Sequence, residues 1–284
     1  MTMSTFIDGL DEIMTRFDAF LIDQYGVMHD GKTPYPGAVE AMSRLTAAGK
    51  IVIVLTNSGK RTGPNMARIE AIGFPRSSYS SLVSSGEVTW QGLRTGAFGE
   101  PFEAGCRVHI IGKQGDDYGL DGLDLIVVAE PESADFIVMA GSDCPRTSLD
   151  HYSNMLVAAA ARHVPALCAN PDRMMLTSEG PQPSSGAIAA IYETLGGRVT
   201  YVGKPFGAIY RHAAKSVGND PARVLCIGDS LEHDVLGGES AGFKTALVRT
   251  GLLQDIDDAT LRDMLAATSH KPTYVLPTLS LTSR

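Results

Sequence analysis

Phe17-Asp18-Ala19-Phe20-Leu21-Ile22-Asp23-Gln24-Tyr25-Gly26-Val27-Met28-His29-Asp30-Gly31 is the stretch whose reading decides the fold. Four apolar residues lead into a carboxylate, then two polar positions, then glycine. A short apolar run bounded by turn signals reads as a fully buried strand of a parallel sheet. Asp23 then falls at its carboxyl end, where open α/β sheets place their ligands. Gly26 lets the backbone turn sharply and approach a ligand closely. A strand-end aspartate of this kind either caps a turn or acts as a nucleophile.

The same stretch carries a decoy. Gly26-Val27-Met28-His29-Asp30-Gly31-Lys32-Thr33 fits the Gly-x-x-x-x-Gly-Lys-Thr pattern of a nucleotide-binding loop. That motif needs a helix opening at Lys-Thr, with amide donors facing the phosphates. Pro34 and Pro36 follow at once, and proline pushes its predecessor out of helical geometry. The spacing of Val39, Met42 and Leu45 places the helix start near Pro36-Gly37, so the match is accidental.

Working outward, residues 37–49 read as an amphipathic helix ended by Gly49. Ile51-Val52-Ile53-Val54-Leu55 is a second buried strand running into Thr56-Asn57-Ser58-Gly59-Lys60-Arg61. Small hydroxyl and amide groups at a strand end, before a helix near 61–72, make an anion site or an ordinary helix cap. Residues 77–88 are rich in serine and glycine. Beyond them, residues 107–112, 125–128 and 136–139 read as strands, 149–162 as a helix and 164–168 as a further strand. This middle third reads as a separate α/β layer, 89–186, inserted between the halves 1–88 and 187–284 of the main domain.

Asn170-Pro171-Asp172 is a turn tripeptide. Residues 186–197 form a small-residue helix with a glycine stop, and Gly203-Lys204-Pro205 sets a lysine in a loop directly before another helix. Arg223-Val224-Leu225-Cys226-Ile227-Gly228-Asp229 is a third buried strand ending in Gly-Asp, with Asp234 five residues on, where the next helix should begin. Two carboxylates at one strand mouth repel each other unless a cation sits between them. Oxygen ligands of that kind suit Mg²⁺. Residues 244–248 give a further strand, 249–251 a turn and 256–267 a final helix.

The 284 residues, with 44% hydrophobic and 20% charged content, describe a globular protein. A net charge of −8 argues against a nucleic-acid groove and against an anionic membrane surface. Cys106, Cys144, Cys168 and Cys226 form neither a zinc-type pair nor a disulfide framework. With the acidic N-terminal residues Asp8, Asp11 and Glu12 and no long apolar run, the expected setting is the reducing cytoplasm.

Taken together, these stretches resemble the haloacid dehalogenase superfamily of phosphohydrolases over about residues 15–255. The likeness is to the branch with a large α/β cap inserted between its second and third motifs, which includes pyridoxal-phosphate, phosphoglycolate and 4-nitrophenyl phosphatases. The resemblance implies a Rossmann-like parallel-sheet core with an inserted cap, and a Mg²⁺-dependent enzyme acting on a small phosphorylated metabolite. It makes Asp23 the nucleophile and a metal ligand, together with Asp229, Asp234 and the backbone carbonyl of Tyr25. Thr56, Asn57 and the adjoining Ser58 become phosphate contacts, Lys204 the motif-three lysine, and Asn170 and Asp172 cap-side contacts to substrate. A cap-mediated homodimer is also what it suggests.

One departure stands out. Where the family's phosphatases carry a second aspartate, two residues after the nucleophile, this chain has Tyr25. A phenol, with a reference pKa near 10, is a poor general base at neutral pH. General acid–base help is typically worth about 10²–10⁴-fold, so slow turnover is expected unless His29 or His233 substitutes. Two further readings stay open: a metal-independent dehalogenase-type attack at carbon, whose first motif also carries Asp-x-Tyr-Gly, and a phosphoryl-binding protein with little turnover.

Overall fold

The apolar run ending in Asp23 forms a strand, Ala19–Asp23, whose first four residues are buried. The computed structural model describes residues 4–144, 146–177, 180–218 and 220–282. Its strands in chain order are β1 (Thr5–Phe6), β2 (Ala19–Asp23), β3 (Ile51–Thr56), β4 (Ser81–Ser84), β5 (Arg107–Ile111), β6 (Ile126–Val127), β7 (Phe136–Met139), β8 (Ala166–Cys168), β9 (Met174–Thr177), β10 (Gly180–Pro183), β11 (Val199–Tyr201), β12 (Val224–Gly228), β13 (Lys244–Val248) and β14 (Tyr274–Leu276). The α-helices are α1 (Ala38–Ala47), α2 (Thr62–Ile72), α3 (Ser85–Arg94), α4 (Leu149–Ala161), α5 (Ser185–Thr194), α6 (Gly207–Ala214), α7 (Leu236–Ser240) and α8 (Asp258–Ala267).

Contacts within the chain define two units: residues up to Thr56 with Gly63–Val83 and Lys204 onward, and Asn57–Thr62 with Ser84–Gly203. The first is built on a seven-stranded sheet in the order β1-β14-β13-β12-β2-β3-β4. β2 pairs in parallel with β3 and with β12, and β12 in parallel with β13. Parallel strands need crossovers, which cover both faces and leave the central strands apolar on both sides. On one face Phe20, Ile22, Val52, Val54, Leu225, Ile227, Ala246 and Val248 pack with Met42 and Leu45 of α1. Leu247 and Val275 point the other way and join Val235, Leu253, Leu261 and Leu265. The period of two along each strand sorts these side chains.

The second unit has its own five-stranded sheet, β11-β8-β7-β5-β6, with every pair parallel. Ile137, Met139, Ala166 and Cys168 pack with Leu156 and Ala159 of α4 and with Ile188 and Tyr192 of α5. The opposite face gathers Val108, Phe136, Val138 and Leu167 with Leu93 and Phe102. β9 and β10 form a separate antiparallel pair. Among the described residues, no helix is long and apolar enough to cross a membrane.

The α/β class with parallel sheets and an inserted unit is as the sequence implies; the edges of the insertion differ. Residues 187–203, read above with the main domain, belong with the second unit, because α5 buries its apolar side in that unit's core and β11 pairs with β8. The serine- and glycine-rich stretch 77–88 holds β4 and the start of α3, and residues 57–62 also group with the insertion. The decoy loop leads into no helix at Lys32-Thr33: both donate their amides to Asp30 at 2.8 Å, and α1 begins at Ala38. The helix expected at Asp234 opens instead as a π-helical turn, Leu231–Val235, before the short α7.

Candidate active site

Parallel register brings the acids together. β2 pairs Ile22 with Ile227 of β12, so Asp23 comes level with Gly228 and Asp229 lies one step beyond. β3 pairs Leu55 with Asp23, so Thr56 also leaves the sheet at its carboxyl edge. The π-helical turn folds Asp234 back over the strand end: a Cβ on Gly228 would lie 1.9 Å from its carboxyl carbon. Such turns recur at functional sites because they re-aim one side chain. The carboxylates of Asp23, Asp229 and Asp234 offer oxygens within 4.8 Å of one another.

Lys204 enters this group from the loop before α6. Its Nζ donates to Asp23 Oδ1 at 2.7 Å and to Asp234 Oδ1 at 2.7 Å. The Lys204 side chain is 3% exposed and that of Asp23 13%, so the reachable member of the pair is the strand-end aspartate. Burial alone would lower the lysine, but Asp23 and Asp234 outweigh it and hold the ammonium well above its ordinary value. Burial pushes the Asp23 carboxyl well above the usual range, with Asp234 and Asp229 adding to it against the pull of Lys204. Asp229 is pushed up to about 7 by burial and by Asp234, against the Leu252 amide that it accepts at 2.8 Å. Three carboxylates, two buried and one partly exposed, share one ammonium, an imbalance that a divalent cation would offset.

Backbone groups finish the arrangement. Ser230 donates its amide to Asp234 Oδ2 at 3.2 Å. Gly26 and Gly251, both with positive φ, close on Asp229, and a Cβ on either would come within about 2.1 Å of its Oδ2. The Thr250 hydroxyl donates to the Gly26 carbonyl at 2.6 Å, tying the loop after β2 to the loop after β13. Sequence reading missed Gly251 and Leu252 as parts of the site. Their only signal was a turn-forming glycine beyond a strand, which says nothing about which carboxylate it approaches.

The remaining expected contacts separate by unit. Thr56 is buried in the first. In the second, Asn57 donates its side-chain amide to Asp172 Oδ1 at 2.8 Å, and the Asp172 amide donates to Asn170 Oδ1 at 3.0 Å. Asn57, Asn170 and Asp172 therefore form one linked group, while Ser58 accepts the Lys60 amide on its hydroxyl at 3.3 Å.

Tyr25 lies in a loop where its ring meets His29 edge-on, with centroids 5.8 Å apart, and crowds Gly31. Burial, then Tyr35 and Asp30, raise the phenol above its ordinary value against Arg68. His29 is fully buried; its Nδ1 accepts the Gly31 amide at 2.9 Å and its Nε2 faces the Gln24 side-chain amide at 3.2 Å. Burial, with Arg68, lowers it to about 4. It is neutral at pH 7 and committed to holding the loop, which corrects its candidacy as the substitute acid or base. His233 is partly exposed, and its backbone carbonyl accepts the Tyr210 hydroxyl at 2.8 Å.

A buried ammonium bonded to two acids thus lies at the carboxyl edge of the parallel sheet, where open α/β sheets place their ligands. A family model described as haloacid dehalogenase-like hydrolase matches residues 20–125, and a second, HAD-hydrolase-like, matches residues 201–281. Chronophin of Homo sapiens is 30% identical over 256 residues, covering 86% of this chain and 85% of its own length. A haloacid dehalogenase-like hydrolase from Brucella suis is 29% identical with a TM-score of 0.81, covering 96% of this chain and 99% of that one. A glycerol phosphate phosphatase from Mycobacterium tuberculosis, solved in complex with magnesium, is 26% identical with a TM-score of 0.72, covering 95% of this chain and 78% of that one. The chain belongs to the haloacid dehalogenase-like hydrolases, and it is an enzyme.

The state of His29 has a measurable consequence. Protonated on both nitrogens, the ring can no longer accept from Gly31, so folding disfavours the charged form. Its folded value of about 4 lies below the ordinary 6.5, so the unfolded chain binds more protons between the two. This contribution is fully present above about pH 6.5 and is lost as pH falls toward 4. Denaturant titrations from pH 7 to pH 4 should show wild-type stability falling across that window, with His29→Gln removing roughly 3 kcal/mol of the fall. The same pH slope in both proteins would contradict the assignment.

Proposed function

We propose that this chain is a Mg²⁺-dependent phosphatase of small phosphomonoesters that works through an aspartyl-phosphate on Asp23. The observation that carries this reading is the group Asp23, Asp229 and Asp234 with Lys204 bonded to two of its members. Phosphoryl transfer demands positioning and charge neutralisation above all, and this group supplies both. Asp23, Asp229, Asp234 and the Tyr25 carbonyl would hold the Mg²⁺, an oxygen-only set that suits a hard cation. When bound, that ion would neutralise charge on the phosphoryl oxygens.

Asp23 Oδ attacks phosphorus, the ester P–O bond breaks, and the leaving oxygen takes a proton. Water then attacks the phosphorus of the acyl phosphate, releasing inorganic phosphate and restoring the carboxylate. Lys204 orients Asp23 and offsets the charge of the phosphoryl group, while Thr56, Asn57 and Ser58 bind its oxygens. Asn170 and Asp172, linked to Asn57, serve the leaving-group side. With the phenol of Tyr25 above its ordinary value and its ring packed on His29, proton delivery to the leaving oxygen falls to water, and turnover is slow.

Phosphate release from 4-nitrophenyl phosphate tests the assignment. It should require Mg²⁺, stop in EDTA and fall by more than about 10³-fold in Asp23→Asn. Activity that persists in EDTA, or in that variant, would sink it. The tyrosine makes a separate point: Tyr25→Asp should raise kcat by about tenfold or more. A lower kcat in that variant would give the phenol a positive role, and Mg²⁺-dependent phosphate binding without any turnover would favour the phosphoryl-binding reading.

A further inference from the structure

Residues 57–62 carry two of the proposed phosphate contacts, and they are held from the side by the first turn of α3. Gly86 donates its amide to the Ser58 carbonyl at 3.0 Å, and the Ser84 hydroxyl donates to the Lys60 carbonyl at 2.7 Å. The Ser85 hydroxyl reaches Asn57 Oδ1 at 3.4 Å. Gly86 is required there, since a Cβ would lie 2.1 Å from the Gly59 carbonyl oxygen. Across the loop, a Cβ on Gly59 would lie 1.9 Å from the Ala140 carbonyl oxygen, just beyond β7. Each residue from 57 to 60 thus has a neighbour that limits its backbone or side chain.

Arg61 closes this clamp. Its Nε donates to Glu87 Oε2 at 2.6 Å and its Nη2 to Oε1 at 3.1 Å, a two-pronged ion pair. Nη1 donates to the Gly119 carbonyl at 3.3 Å, and the guanidinium carbon lies over the Trp90 ring, 3.9 Å from its centroid. Only a planar five-donor fork meets all three partners at once; an ammonium cannot. The same segment beyond β5 is tied twice more: Lys60 pairs with Asp116 at 3.0 Å, and Trp90 Nε1 donates to the Asp121 carbonyl at 2.9 Å.

We propose that Arg61 is a positioning residue for the phosphate-binding loop at Asn57 and Ser58, and that through Arg61 the 116–121 segment of the inserted unit sets how tightly that loop holds phosphate. The proposal rests on the reading of Asn57 and Ser58 as phosphate contacts. A loop that grips phosphate equally before and during reaction shows its loosening as a raised KM at little-changed kcat, so a clamp three and four residues from Ser58 and Asn57 is read in binding.

Trp90 is the only tryptophan in the chain, so its fluorescence reports the clamp directly. The probe is inorganic phosphate with Mg²⁺, measured as an inhibitor of 4-nitrophenyl phosphate hydrolysis and as a change in Trp90 emission. In the wild type both should saturate at the same phosphate concentration. Arg61→Ala and Arg61→Lys should raise KM and the phosphate inhibition constant together by roughly tenfold or more, leaving kcat within a few-fold. Glu87→Gln should do the same, and adding it to Arg61→Lys should cost nothing further; these milder changes carry the test if Arg61→Ala does not fold. Folded variants with wild-type KM and phosphate inhibition would overturn the proposal while leaving the phosphatase reading intact. A wild type that neither hydrolyses the ester nor binds phosphate would overturn the phosphatase reading, and this inference with it.

Discussion

One buried ammonium between two carboxylates is the interaction on which the rest of this site depends. Lys204 bonds Asp23 at the end of β2 and Asp234 in the turn after β12, and so ties together segments about two hundred residues apart. Without it, acids this deep would repel one another and take up protons, as the upward push on Asp23 and Asp229 already indicates. Breaking a buried pair by removing one partner typically costs about 3–5 kcal/mol, so the lysine matters to the fold apart from the chemistry proposed for it. Even so, one positive charge does not balance three clustered acids, two of them buried. That imbalance is what the proposed Mg²⁺ would offset.

The sheet makes such a site affordable. Parallel strands covered on both faces deliver their carboxyl ends to one edge, and the loops there are free to carry polar groups. Gly26 and Gly251 let two of those loops close on Asp229, and Thr250 bonds one to the other. His29, neutral and buried, braces the loop that carries Tyr25. In the second unit, α3 and Arg61 brace the loop that carries Asn57. The two supports share a logic: one side chain, His29 or Arg61, fixes the backbone beside a residue that the proposed function uses.

Much of this was legible in the sequence. Apolar runs ending in Asp23, Thr56 and Gly228-Asp229 give strands whose carboxyl ends share an edge, and their order along the chain gives the class of fold. What sequence could not supply were features set by packing. Residues 187–203 look like a return to the main domain, because a small-residue helix packs on either unit equally well until Tyr192 finds its core. Ser84-Ser85-Gly86-Glu87 shows in sequence only its serine- and glycine-rich composition, although every one of its residues reaches into the 57–62 loop. His29 was a candidate acid or base by residue type alone; only its burial and its bond to Gly31 show that it is structural. The π-helical turn that aims Asp234 has no sequence signature at all.

Calorimetric titration of the protein with Mg²⁺ alone tests the central claim most directly, because it needs no substrate and no turnover. The account predicts one saturable site, proton release on binding near pH 7 as the raised carboxyls ionise, and at least about tenfold weaker binding in Asp229→Asn. Absence of binding to the wild type, or equal affinity in the variant, would contradict it.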